Sequence, residues 1–145
     1  MKCQALRSKG RDDMARTNRI VVDLEEWSEE VLKWVEKGIE TTTELAYDES
    51  RRRIPVDSGE TRKSIVMDYG GLQGSVFVGS AIAVFLEFGT GIHASPKGSG
   101  SRAKKIPWTY YKDGQFFTTY GMVAQPFWQP TMDITEQYFK NYFRG

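Results

Sequence analysis

The chain has 145 residues, of which 39% are hydrophobic and 27% charged, with a formal net charge of +1. That length suits a single domain with its own core, and the near-neutral balance argues against a protein that binds nucleic acid with its whole surface. Cys3 is the single cysteine, which excludes an intramolecular disulfide; no apolar run approaches the ~18 residues of a membrane span, and the basic N-terminus lacks the apolar stretch of a secretion signal.

Residues 1–21 read as an extended basic arm. Lys2, Arg7, Lys9, Arg11, Arg16 and Arg19 stand there against Asp12 and Asp13, with few apolar residues to bury. From Val22 to about Arg52 apolar residues recur at steps of three and four: Leu24, Trp27, Val31, Trp34, Val35, Ile39, Thr42, Leu45 and Ala46. The spacing predicts a long amphipathic helix lying across a sheet. Asp23 is the expected N-cap, with Glu26 completing a capping box, and Pro55 stops the helix. The segment is acidic, with Asp23, Glu25, Glu26, Glu29, Glu30, Glu36, Glu40, Glu44, Asp48 and Glu49 against Lys33 and Lys37, and Arg51, Arg52 and Arg53 close it. Cations at that end are favoured by the helix dipole. The acidic face is either solvated or an oriented charge pattern that docks a neighbour.

Ile54–Gly59 reads as a turn, with Asp57 or Ser58 capping a helical turn over Gly59–Ser64. Ser64–Tyr69 and Ser75–Gly79 are predicted strands of a hairpin around Gly70-Gly71. Ala81–Phe88 is apolar except for Glu87, and periodicity leaves helix and buried strand both open. His93–Lys105 reads as a flexible basic loop. Asp113-Gly114 between the aromatic runs Pro107–Tyr111 and Gln115–Thr119 predicts a second hairpin. Gly121–Pro130 reads as irregular. Thr131 is expected to cap a last helix from Met132 to about Tyr142, with Ile134, Tyr138 and Phe139 inside. The order predicts an α+β fold over residues 22–145: a long N-terminal helix packed on one antiparallel sheet of β-hairpins, then a short C-terminal helix.

Little here suits catalysis. His93 is the lone histidine and no ligand set at metal-binding spacing accompanies it. Gly89-Thr90-Gly91 lacks the Lys-Ser/Thr of a phosphate loop and reads instead as a hinge where the basic loop leaves the core. No catalytic, cofactor-binding or metal-binding residue is therefore assigned. Lys97, Arg102, Lys104 and Lys105 lie near Trp108, Tyr110 and Tyr111, a mixture able to contact nucleic acid or a protein partner and equally at home in a solvated loop. Glu87 either accepts hydrogen bonds from backbone or Arg62 and so holds the loop, or forms a salt bridge across a subunit boundary.

Three blocks carry a resemblance. The first is Pro55-Val56-Asp57-Ser58-Gly59-Glu60-Thr61-Arg62-Lys63-Ser64-Ile65. The second is Val78-Gly79-Ser80 running into Phe85-Leu86-Glu87-Phe88-Gly89-Thr90-Gly91. The third is Ala124-Gln125-Pro126-Phe127-Trp128-Gln129-Pro130. In this order they resemble the minor-tail and neck proteins of lambda-like tailed phages, the gene-product-ten-like tail components, over about residues 22–143. Thr61 stands where that family usually has Leu, and Thr131 where it usually has Ala. The resemblance implies a non-enzymatic virion protein, made in the host cytoplasm and built into the neck or upper tail. Its partners would be other copies of itself in a ring, the head-closure (stopper) protein, the tail terminator and the tail tube, with no membrane partner and no cofactor. Packaged DNA in the channel is the alternative partner, through Lys97, Arg102, Lys104 and Lys105. The motif residues expected to serve structure and assembly are Asp57, Gly59, Arg62, Glu87, Phe88, Gly89, Thr90, Gly91, Pro126 and Phe127.

Overall fold

The computed structural model describes residues 24–98 and 104–144, with side chains from Trp27 onward. The basic arm, the Asp23 cap and Arg102 lie outside the described residues. The elements in chain order are α1 (Leu24–Arg53), α2 (Glu60–Lys63), β1 (Ile65–Gly70), β2 (Gln73–Val78), α3 (Ile82–Phe88), a 3-10 turn (Gly91–His93), β3 (Trp108–Lys112), β4 (Gln115–Thr119) and α4 (Trp128–Arg144). The fold is α+β, as expected. The strands, however, form two separate antiparallel ribbons, β1–β2 and β3–β4, rather than one sheet.

α1 is the spine. The β1–β2 ribbon and α4 pack on it, and two glycines set how closely. A Cβ on Gly74 would lie 2.0 Å from Thr43 Oγ1, so only glycine lets the ribbon sit on the helix there. A Cβ on Gly38 would meet the rings of Tyr142 and Phe143 at 2.5 and 2.6 Å. Trp34 completes that crossing, stacked on Tyr142 at 5.6 Å and edge-on to Phe143 at 4.9 Å. Thr41, Thr42 and Thr43 would ordinarily weaken a helix interior. Their hydroxyls donate back to the carbonyls of Lys37, Gly38 and Ile39 and so are satisfied.

The expected apolar stripe of α1 is only partly inside. Its buried positions are Gly38, Thr43, Ala46 and Ser50, continued by Ile54 just past the helix. Trp27, at the outer end of that stripe, is 48% exposed. At the other end the arginines close the helix as predicted. Arg52 and Arg53 donate to Glu49 at 2.5 and 2.9 Å, and the Arg52 bond above all holds that carboxyl below its usual range.

The core is small: Ile54, Ile65, Ala83 and Phe127, flanked by Tyr47, Val76, Val78, Leu86 and Trp128. The first hairpin is tighter than read from sequence. Gly70 pairs with Gln73, leaving Gly71 and Leu72 as the two-residue turn, and Gly74 is a strand residue facing α1. Ala81–Phe88 resolves as helix. The second hairpin matches its sequence signal: Asp113 and Gly114 both have positive φ, 54° and 82°, as an Asp-Gly turn of the primed type requires.

Candidate functional site

The second and third motif blocks meet at Glu87. This residue sits on the last turn of α3, and its carboxylate points at the start of α4. Oε2 accepts the backbone N–H groups of Phe127 and Trp128, both at 2.8 Å, and Oε1 accepts that of Gln129 at 3.0 Å. A helix begins with N–H groups that have no partner inside it. In α4 those of Phe127, Trp128 and Gln129 go to Glu87, Pro130 has none, and Thr131 N–H returns to the Phe127 carbonyl. One side chain, 40 residues away in sequence, thus satisfies the free donors of the first turn. Its charge also stands where the helix dipole favours an anion. Pro130 is tolerated because its missing N–H falls within that turn.

This geometry corrects one expectation and, of the two partners open to Glu87, chooses backbone over Arg62. Thr131 does not cap α4. It is buried inside the first turn, and its hydroxyl donates to the Phe127 carbonyl at 2.7 Å. Arg62 is exposed and is not a hydrogen-bond partner of Glu87, whose acceptor positions are taken by backbone. Phe127, brought in by the capped turn, is 1% exposed and packs against Ile54, Ile65 and Ala83. Ile65 is the last residue of the first block, so all three blocks close on one core. Pro126, just before it, is exposed.

The Gly89-Thr90-Gly91 segment is a clamp rather than a hinge. Thr90 N–H donates to the Met122 carbonyl at 2.8 Å, and Met122 N–H donates back to Thr90 Oγ1 at 2.8 Å. Ile92 N–H reaches the Tyr120 carbonyl at 3.0 Å, and Gln125 N–H reaches that of Leu86 at 2.7 Å. Residues 86–92 and 120–125 are therefore laced together along their backbones, although neither is a strand. Three glycines make the lacing possible. Gly89 and Gly91 have φ of 73° and 62°, and Gly121 has φ of 126°. A Cβ on Gly91 would lie 1.9 Å from the Tyr120 carbonyl oxygen, and one on Gly121 would lie 2.1 Å from that of Thr90. Phe88 is half-buried under the next turn, where a Cβ on Gly98 would meet its ring at 2.8 Å. The first half of the predicted flexible loop is thus folded onto the motif.

Other expected site residues stand apart. Asp57 is exposed. Of the two candidate caps it is Ser58 whose hydroxyl accepts the first N–H of α2, from Glu60, at 3.4 Å, while the N-cap position itself is Gly59 with φ of 80°. Lys97, Lys104 and Lys105 are exposed. His93 is exposed, and its backbone rather than its ring takes part in the clamp. Among the described residues no cluster of His, Cys, Asp and Glu is arranged to hold a metal ion, and no helix is long and apolar enough to cross a membrane. Sequence reading missed Gly121 and the role of Pro130. A glycine after the second hairpin and a proline two residues into a helix were the available signals. No family model, curated protein or solved structure matches the chain.

Proposed function

We propose that this chain is a structural assembly subunit of a tailed-phage particle, placed in the neck or upper tail. It binds further copies of itself and joins the head-closure and tail-terminator rings to the tail tube. The observation that carries the reading is the convergence of the three motif blocks. Residues spread from Pro55 to Pro130 act as one unit: Ile65 and Phe127 share a core, and Glu87 ties the second block to the third. That convergence supports treating the blocks as parts of one device, which is the basis of the resemblance to neck and tail components.

Exposed apolar surface supports the same reading. Val66 and Phe77 project from the ribbon face away from α1, and Tyr111, Phe116, Tyr120 and Val123 stand in the open. Isolated exposed apolar residues are ordinary, but patches of this kind mark interaction surfaces. The test is gold labelling of an affinity-tagged chain in assembled particles. Label at the head–tail junction or upper tail is the expected result. Particles that join heads to tails normally when the gene is deleted would overturn the proposal.

A further inference from the structure

The β3–β4 ribbon packs chiefly on itself, and its register decides which backbone groups stay free. Asp113 and Gly114 form the two-residue turn, so Lys112 and Gln115 are a hydrogen-bonded pair and the pairs alternate from there. Tyr110–Phe117 and Trp108–Thr119 are bonded across the ribbon. Thr109 and Tyr111 on β3, and Phe116 and Thr118 on β4, instead turn their N–H and C=O groups outward. Among the described residues no backbone bond from another segment reaches Phe116 or Thr118, and residues 115–118 are exposed.

The two outer edges are unlike. β3 is guarded: Lys104, Lys105 and Pro107 precede it and Lys112 ends it. Proline and lysine are the residues that keep another strand from adding to an edge. β4, Gln115–Thr119, carries neither a charge nor a proline. Its aromatic and β-branched residues suit a strand, and a lone two-stranded hairpin is marginal in water. The β4 edge is therefore a template for one more strand.

We infer that β4 pairs antiparallel with β4 of a second copy, across a two-fold axis centred on Phe117, so that two ribbons become one four-stranded sheet. The strand fits itself. Outward backbone must meet outward backbone, and this centre sets Phe116 against the partner's Thr118 and Thr118 against the partner's Phe116. Phe117 then lies opposite its own counterpart. Tyr110 already stacks on Phe117 at 5.7 Å, so the pairing lines up Tyr110 and Phe117 of both copies in one row of rings. On the other face Tyr111 meets Phe116 at 5.0 Å, and the partner's Thr118 extends that pair. Aromatic and β-branched cross-strand neighbours are among the favoured ones. With no charge on the strand, nothing repels.

This contact is isologous, the same patch on both copies, and so differs from the head-to-tail contacts that close a ring. It goes beyond the assembly reading. It holds or fails on the purified chain, wherever that chain sits in a particle.

The test is sedimentation equilibrium of the full-length chain from about 10 μM to about 1 mM, a range that brackets weak pairing. A monomer–dimer equilibrium is expected. Thr118→Pro removes an outward N–H that only the partner uses, and should weaken the dimer about tenfold or more. Thr109→Pro is the matched control on the guarded edge. It removes the same hydroxyl contact between Thr109 and Thr118, 3.1 Å long, and should leave the equilibrium unchanged. Both prolines spare the hydrogen bonds inside the ribbon. Register is read separately by oxidation in a Cys3→Ser background. Phe117→Cys should form a disulfide dimer, because a non-hydrogen-bonded pair brings the two side chains together. Tyr110→Cys, about 14 Å from its counterpart across three strand spacings, should not. A chain that stays monomeric at about 1 mM overturns the inference. So do equal effects of the two prolines, or equal disulfide yields at the two positions.

Discussion

The clamp around Glu87 and the β3–β4 ribbon stand side by side in the chain and are held in opposite ways. The clamp has no regular strand, yet residues 86–92 and 120–125 are bonded backbone to backbone, and Phe127 beneath them is buried. The ribbon has regular strands, an ideal Asp-Gly turn and paired aromatics, yet most of its apolar surface faces water. Regular secondary structure is therefore a poor guide to where this molecule is rigid. Long-range hydrogen bonds and burial fix the irregular region, while the regular one keeps Tyr111 and Phe116 exposed.

The largest effect is expected where the clamp has no room. Gly91→Ala places a methyl group on the Tyr120 carbonyl and forces a positive φ on alanine, which should cost at least ~3 kcal/mol of stability in denaturant unfolding. Glu87→Ala follows at about 3 kcal/mol, since it leaves three first-turn amides without their charged acceptor. Glu87→Gln keeps an acceptor oxygen and should lose about half as much. If both substitutions proved neutral, the contrast between the two regions would collapse.

On the ribbon, the Tyr111→Ser, Phe116→Ser double variant should change the stability of the isolated chain by less than about 1 kcal/mol, as expected for exposed positions. Hydrogen exchange should show its amides opening more readily than those of the clamp. A large loss of stability would show that the ribbon is already packed within its own chain.

The smallest effect sharpens the contrast with a second glutamate. Glu49 is paired with Arg52 and Arg53 along one helix, where such pairs contribute a few tenths of a kcal/mol, about 0.5 at most. Its carboxyl is held below the ordinary range in the folded chain. The stabilisation is therefore present at neutral pH and lost as pH falls through that lowered value. Glu49→Gln should remove this small acid-side slope and leave neutral stability almost unchanged, as pH-dependent urea midpoints would report.

What sequence reading captured was local. The α1 periodicity, the stop near Pro55, the two hairpins and the Asp113-Gly114 turn each depend on neighbours in the chain, and each appears within a few residues of its expected place. The misses were long-range. Thr131 resembled a cap because a cap is sought next to its helix, and the actual acceptor is Glu87 from α3. Trp27 continues a helical stripe yet is 48% exposed, because periodicity marks a face and not what packs on it. The mutual approach of Gly91 and Gly121 has no local signature beyond the glycines themselves. Two glycines did carry an unread signal: Gly38 in mid-helix and Gly74 within a strand both mark close approach.

The most direct test of the clamp is amide hydrogen exchange at Phe127, Trp128 and Gln129 in the native chain and in Glu87→Ala. The expected result is strong protection of all three in the native chain and its loss in the variant, while amides in the middle of α4 keep theirs. Equal exchange at these three positions in both proteins would contradict the claim that Glu87 joins the motif blocks into one unit.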